Sequence, residues 1–128
     1  MRYALLIYVA PWESTPEEDA QVMAAYNAFG AEAMAADVMR GGEALHEAKT
    51  ATSVRVRDGK VLVTDGPFAE TKEEFGGFYL IEAANLDDAI KWAARIPGAV
   101  RGTVEVRPVV DFDAAVEAGE APAGIAAG

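Results

Sequence analysis

The two side chains in this sequence best suited to proton transfer are the carboxylate of Asp65 and the imidazole of His46. Asp65 ends a strand-like run and is followed by Gly66 and Pro67, where nearby backbone N–H groups can hold a carboxylate in place. His46 is the only histidine, and histidine titrates near neutral pH without help. The pair can act as general acid and base if the fold brings the two together. The competing interpretation makes Asp65 a turn-forming residue and His46 an exposed loop residue.

The loop from residue 65 to residue 77 carries most of the remaining polar chemistry. It is charged, contains Gly and Pro, and lies between two strand-like runs, and loops of this kind often hold binding residues. Phe68, Glu70 and Lys72 are its candidate ligand-binding residues, with Lys72 as the one cation. A solvated loop or a short capped helical turn explains the same residues, because residues 71–74 match a capping box.

Tyr26 and Trp12 complete the candidate ligand-binding set. Tyr26 falls in the first predicted helix and Trp12 in the loop before it, and both are candidates for lining a pocket between helix and sheet. Aromatic residues at helical or strand spacing usually belong to the core, which is the default interpretation for both Tyr26 and Tyr79. The predicted site consists of the catalytic candidates Asp65 and His46 and the ligand-binding candidates Tyr26, Phe68, Glu70, Lys72 and Trp12.

Composition excludes several classes of partner and cofactor. The 128 residues suffice for one domain with a substantial core, and the formal net charge of -10 argues against nucleic acid and anionic membranes as partners. Cysteine is absent, which excludes disulfides and thiolate metal sites. A lone histidine gives no metal-ligand spacing and no nucleotide-binding motif is present, so we expect no metal and no cofactor. The N-terminal residues resemble neither a membrane span nor a signal peptide, and we expect a cytoplasmic protein.

Hydrophobic periodicity predicts the order strand, helix, strand, hairpin, strand, helix, strand. Without the hairpin this is the split βαβ order of ferredoxin-like α+β folds. Thr15, Pro16 and Glu18 form a capping box with proline at the first helical position. We expect a domain over residues 1–112 and an Ala- and Gly-rich acidic tail, 113–128, that is frayed or disordered. The predicted elements cover residues 3–10, 15–37, 38–45, 52–64, 78–83, 86–96 and 103–110.

The predicted hairpin and the predicted sheet each leave an apolar surface. An Asp58-Gly59 turn, the pair favoured in type I′ hairpins, places valines on one face in the pairs Val54–Val63 and Val56–Val61. The first and third main strands are apolar on both alternating sets of positions, as in strands covered on both faces. Two helices can cover only one face of the sheet. A second copy of the chain is the best candidate for the other face, so we expect a homodimer.

Residues 61–74, VLVTDGPFAETKEE, resemble the signature of the DGPF-type proteins of the YCII-related family. The resemblance extends over most of residues 1–110 and includes the hairpin VRVRDGK at 54–60, the strand GFYLI at 77–81 and WAARIP at 92–97. It implies a ferredoxin-like dimeric α/β-barrel and a family whose activity is largely uncharacterised. Relatives of the DGPF type are often encoded beside extracytoplasmic-function sigma factors, which implies a regulatory or stress role.

Shorter YCII-type relatives carry a His on the first helix and an Asp near a cleft, for which an acid–base role has been proposed. By approximate register that His corresponds to Tyr26, so this chain departs from the pattern. The resemblance therefore does not transfer the acid–base role to this chain.

Two functional hypotheses of different classes follow from these observations. The first is a homodimer that binds a small polar or aromatic molecule in a cleft rimmed by residues 65–72, with or without weak acid–base enzyme activity. The second is a non-catalytic regulatory or interaction module that meets a protein partner through its hairpin and acidic surface. A perturbed carboxylate pKa in a closed pocket favours the first, and an apolar patch that stays exposed after dimerisation favours the second.

Overall fold

The computed structural model describes residues 1–119, which form six strands and four helices in an α+β arrangement. The predicted flexible tail from residue 120 onward lies outside the described residues. In chain order the elements are β1 (Arg2–Val9), α1 (Pro16–Ala35), β2 (Met39–Ala44), a 3₁₀ turn (Ala48–Thr50), β3 (Thr52–Arg57), β4 (Lys60–Asp65), β5 (Glu74–Glu82), α2 (Leu86–Ala94), α3 (Gly98–Arg101), β6 (Thr103–Pro108) and α4 (Phe112–Glu117).

Four strands form an antiparallel sheet in the order β2-β5-β1-β6, and β3 and β4 form a separate two-stranded sheet. The central strands β1 and β5 are each followed by helix and then by an edge strand, so the two strand–helix–strand halves interleave. The predicted α+β class with antiparallel sheets is confirmed. Within residues 1–119 the sheet stays open at β2 and β6 and forms no closed barrel.

Both long helices begin at side-chain caps that the sequence predicts. The Thr15 hydroxyl accepts a hydrogen bond from the Glu18 backbone N–H at 3.1 Å, and the Glu18 carboxylate accepts one from the Thr15 N–H at 3.4 Å. Asn85 caps α2, because its side-chain oxygen accepts from the Asp88 N–H at 2.9 Å. These bonds satisfy N–H groups that the first helical turn leaves without an intrahelical partner.

The core lies on one face of the sheet, against α1 and α2. Tyr3, Leu5 and Ile7 of β1 are buried there, and α1 contributes Phe29 and Ala33. The spacing of α2 predicts that Ala89, Ile90 and Ala93 all face the sheet, but only the two alanines are buried and Ile90 is 48% exposed. The other buried hydrophobic residues are Ile81, Ala83, Ala89, Ala93 and Ile96.

The opposite face of the sheet, here named the open face, is also apolar at its centre. Leu6 lies opposite Phe78 across β1 and β5, and Ala4 lies opposite Leu80. Because α1 and α2 pack on the other side, these side chains are only half-buried. β1 and β5 are therefore apolar on both faces of the sheet, as predicted, and α1 and α2 cover only one of these faces.

The hairpin has the predicted turn and register. Asp58 and Gly59 have φ of 52° and 73°, both positive as a type I′ turn requires. Its apolar side projects from the body, and its four valines are between 59% and 66% exposed. The pairs across the hairpin are Val54–Val63 and Val56–Val61, as predicted.

Two segments differ from the sequence-based expectation. β5 begins at Glu74 instead of residue 78, because Phe75 pairs with Tyr8 and extends the ladder past a register shift at Gly76. No helical turn forms at residues 71–74, which lead directly into this strand. Residues 112–117 form α4, which includes the first part of the expected tail, residues 113–117, since the Asp111 carboxylate accepts a hydrogen bond from the Ala114 N–H at 3.1 Å.

Candidate functional site

A cavity of about 330 Å³ opens between α1 and the sheet, at the end of the sheet where β1 and β2 finish and β5 begins. Small-molecule sites in proteins typically occupy ~300–1,000 Å³, so this volume suits a compact ligand. Val9, Tyr26 and Tyr79 form its walls, and the backbones of β2 and β5 form its floor.

The cavity exists because neighbouring positions on the core-facing side of β2 and β5 carry almost no side chain. Gly42 pairs with Tyr79, and Ala44 pairs with Gly77, which in turn pairs with the buried Ile7. Side chains alternate along a strand, so Gly42, Ala44 and Gly77 share the face of Tyr79 and Ile7. These three positions are here named the floor of the cavity. A larger side chain at Ala44 would fill the space beneath α1, whereas a Cβ atom at Gly42 or Gly77 would lie 2.5 Å or 2.7 Å from a carbonyl oxygen of the neighbouring strand.

Two tyrosines supply the side-chain hydroxyls of the cavity. Burial raises the pKa of Tyr26 above its usual 10.0, and the Gly98 backbone beside the hydroxyl partly opposes this rise. Burial also raises the pKa of Tyr79, and the nearby Tyr26 raises it further. Both phenols therefore stay protonated at neutral pH, and each can donate a hydrogen bond. Each of the two tyrosines that line the cavity therefore carries an O–H donor.

An aromatic chain holds Tyr79 and links the two long helices. The rings of Phe29 and Tyr79 are 4.9 Å apart between centres, and the ring of Trp92 meets Phe29 edge-on at 6.1 Å. The guanidinium of Arg95 stacks on Trp92, 4.6 Å from the ring centre, and pairs with Glu32 of α1. These contacts restrict the Tyr79 ring and keep α1 over the cavity.

Of the predicted site residues, Tyr26 lines this cavity and the others lie outside its lining. Asp65 is exposed at the end of β4, where it pairs with Thr52 in the hairpin. His46 is exposed between β2 and the 3₁₀ turn. Within residues 1–119 no ion pair joins Asp65 to His46, and an acid–base pair formed by them stays a prediction.

The loop of residues 66–73 borders the same end of the sheet as the cavity. At one side Glu73 accepts a hydrogen bond from the Thr103 hydroxyl of β6 at 2.8 Å. At the other side Glu74 accepts one from the Ala48 N–H, beyond β2, at 3.3 Å. The loop therefore crosses the end of the sheet. Its candidate ligand-binding residues, Phe68, Glu70 and Lys72, are exposed.

Trp12 lies in the loop that follows Val9 and is 39% exposed. The guanidinium of Arg101, in α3, lies over its ring at 3.4 Å from the ring centre. This cation–π contact fixes Trp12 against α3, outside the cavity lining, and makes it part of the surface around that end of the sheet.

Tyr79 and the three residues of the floor are the site residues that sequence reasoning missed. The spacing of Tyr79 predicts a core residue, and the Gly41-Gly42 pair within the predicted strand of residues 38–45 indicates a bulge. A register shift does occur between Met39 and Gly41, but Gly42 also contributes to the floor. The signal is a run of small residues on one side of two paired strands, which becomes visible only once β2 is known to pair with β5.

A second groove, of about 880 Å³, lies at the opposite end of the sheet between the start of β1 and α4. Two of its charged groups, the Met1 ammonium and the Glu82 carboxylate, form an ion pair. The Met1 ammonium donates a hydrogen bond to the Glu82 carboxylate at 2.6 Å, and this bond lowers the pKa of Glu82. None of the predicted site residues lines this groove.

No helix formed by residues 1–119 has the length and apolar character needed to cross a membrane. In the same part of the chain, no three His, Cys, Asp or Glu side chains gather as the ligands of a metal ion would.

The comparison with known proteins agrees with the signature at residues 61–74. The model of the YCII-related domain family matches residues 1–113, which include the cavity and the loop of residues 66–73. An uncharacterized protein of Rhizobium meliloti (strain 1021) is 37% identical over 116 residues, a stretch that covers 85% of this chain and 92% of that protein. The chain belongs to the YCII-related family.

Proposed function

We propose that the protein is a homodimer that binds a small molecule in the cavity beneath α1, with the loop of residues 66–73 beside the cavity mouth. The observation that carries this proposal is the pair of half-buried phenols, Tyr26 and Tyr79, above a floor without large side chains. Small-molecule sites are concave spaces of ~300–1,000 Å³ with a few polar groups, and a cleft of about 330 Å³ lined by two phenols has this character.

The loop of residues 66–73 forms the rim of the cavity in this proposal. Asp65 immediately precedes this loop and Lys72 lies within it, and both are exposed. We propose that they contact parts of a ligand that project from the cavity. Proton transfer by Asp65 and His46 is a separate addition to this proposal. It requires the two side chains to meet, and in a single copy both are exposed to solvent.

The open face supports the homodimer. Its centre is formed by Leu6, Phe78 and Leu80, all only half-buried, and its β6 edge carries Glu105 and Arg107, which lie 3.9 Å apart. An apolar centre with a charged rim is the usual anatomy of a protein interface. Two sheets of strand order β2-β5-β1-β6 packed by this face would give the ferredoxin-like dimeric α/β-barrel that the family resemblance implies.

A thermal-shift screen of small molecules tests the ligand site. The side chain of Ala44 belongs to the floor, so Ala44→Leu would fill the cavity. Ala24→Leu adds the same atoms to an exposed position of α1 and serves as the matched control. We expect ligands that raise the melting temperature of the wild type and of Ala24→Leu, and no effect on Ala44→Leu. A full response in Ala44→Leu would place the ligand elsewhere and end the proposal.

A second candidate function, a protein-interaction module, is favoured by the exposed valine face of the hairpin. Natural proteins seldom leave such apolar strands unprotected. Val61→Lys, measured by sedimentation, separates two explanations. If the dimer dissociates, the valine face belongs to the homodimer interface, and the interaction module loses its support. If the dimer persists, the face is available to a different protein.

A further inference from the structure

The hydroxyl groups of Tyr26 and Tyr79 define what kind of group a ligand must bring. Both side chains line the cavity, and they are close enough for the charge state of one to affect the other. Two protonated phenols in the lining of one cavity supply two O–H donors, and a single acceptor atom with two lone pairs can accept from both. A carbonyl oxygen, which has two lone pairs, is such an acceptor, and a ligand without an acceptor would leave both donors unpaired.

The charge of the surroundings selects against an anionic ligand. Within residues 1–119 no Lys, Arg or His lines the cavity, and the whole chain has a formal net charge of -10. A carboxylate that enters a partly apolar cavity loses hydration and finds no cation to replace it. A neutral carbonyl group loses less hydration free energy when it enters the cavity, and hydrogen bonds from the phenols replace its hydrogen bonds to water.

Size and shape restrict the ligand further. The volume of about 330 Å³ equals roughly eleven times the ~30 Å³ that a water molecule occupies in the liquid. No side chain of the floor is longer than that of Ala44, and the rings of Tyr26 and Tyr79 form walls against which a flat ring can pack. The cavity is therefore suited to one ring with a short substituent.

The geometry points to an uncharged, planar carbonyl compound of about ten non-hydrogen atoms as the ligand class. Its ring lies over Ala44, against the walls of the cavity, and its oxygen accepts hydrogen bonds from the hydroxyls of Tyr26 and Tyr79. This inference rests on the proposed function, because it names the ligand of the same cavity.

Three probes of similar size separate the effect of the carbonyl group from the effect of charge on binding. Acetophenone carries the carbonyl group, ethylbenzene lacks it, and benzoate carries a charged carboxylate in its place. Each is titrated by NMR into ¹⁵N-labelled wild type, Tyr26→Phe, Tyr79→Phe and Ala44→Leu. We expect acetophenone to shift the amide signals of Gly42 and Gly77 and to bind at least about tenfold more tightly than benzoate. Each Tyr→Phe variant should weaken acetophenone about fivefold and leave ethylbenzene unchanged.

The possible outcomes test the ligand class and the location of the binding site separately. Benzoate that binds as tightly as acetophenone, or Tyr→Phe variants with wild-type affinity, would overturn the ligand class while Ala44→Leu still blocks the cavity. Absence of binding by all three probes would also overturn the class, and the thermal-shift screen on Ala44→Leu then decides the proposed function separately. Binding that persists in Ala44→Leu would overturn both.

Discussion

Gly42 and Tyr79 lie opposite each other across β2 and β5, and a Cβ atom on Gly42 would lie 2.9 Å from Cδ1 of Tyr79. The same atom would lie 2.5 Å from the carbonyl oxygen of Phe78, and φ at Gly42 is 154°. The tyrosine ring therefore packs on bare backbone at a position that has no room for a side chain. This close packing ties the shape of the cavity to the orientation of the Tyr79 hydroxyl.

Gly42→Ala should destabilise the protein by about 1–3 kcal/mol, because either the backbone of β5 or the Tyr79 ring must move. Urea denaturation measures the change. Gly30→Ala is the matched control, since a Cβ atom on Gly30 of α1 meets nothing within 4 Å. There the substitution should stabilise the protein by about 0.5–1 kcal/mol, because alanine favours a helix interior. Equal effects at the two positions would contradict the close packing at Gly42.

Leu6→Glu should convert the proposed homodimer into monomers at micromolar concentration. Leu6 is at the centre of the open face, and a face-to-face dimer would bury the new carboxylate without a partner. We expect the dimer Kd to rise at least about thirtyfold, measured by sedimentation equilibrium. Val100→Glu, at an α3 residue that is 87% exposed, introduces the same charge away from this face and should leave the dimer intact. An unchanged dimer in Leu6→Glu would place the interface elsewhere.

Asp65→Ala should change the free energy of unfolding by less than about 0.5 kcal/mol, because the turn after β4 is held by other groups. The Gly66 N–H donates to the Ala51 carbonyl at 2.7 Å, and the Ser53 hydroxyl donates to the Gly66 carbonyl at 2.8 Å. Ser53→Ala should therefore cost about 1 kcal/mol in the same urea experiment. If Asp65→Ala proves as costly as Ser53→Ala, the interpretation of Asp65 as a turn-forming residue is correct.

Elements with local signals could be predicted from the sequence. The start of α1 depends on Thr15 and Glu18, which are one helical turn apart, and the hairpin depends on the adjacent Asp58 and Gly59. The start of β5 could not be predicted in this way. Residues 74–77 have loop-like composition and become strand only because β1 pairs with them.

The candidate site could be predicted only in part for the same reason. Tyr26 was identified because an aromatic residue on a sheet-facing helix is a reasonable pocket residue. Gly42 and Gly77 are distant in sequence, and only the β2–β5 ladder brings them into one surface. A charged residue such as Asp65 is readily identified in a sequence as a candidate site residue. A cavity, in contrast, arises at positions whose residues have a small side chain or none.

Alkaline pH should destabilise the protein through Tyr26 and Tyr79. Burial raises the pKa of both phenols above 10.0 in the folded state, while in the unfolded chain they ionise near the usual value. Above about pH 10 the folded state therefore binds more protons than the unfolded state, and stability falls as pH rises. The two protonated phenols make their full contribution to stability at a pH below their pKa in the unfolded chain. This contribution is lost as the pH rises through their pKa in the folded protein.

Urea denaturation at a series of pH values from about 8 to about 11 measures this decline, with the double variant Tyr26→Phe/Tyr79→Phe as the comparison. Phenylalanine keeps the ring packing against Phe29 and removes the ionisable group. We expect the free energy of unfolding of the double variant to fall less steeply above about pH 10 than that of the wild type. An equally steep fall would mean that both phenols ionise as freely in the folded protein as in the unfolded chain. The two hydroxyls would then be in contact with water, and they would lose their proposed role as donors to a ligand in the cavity.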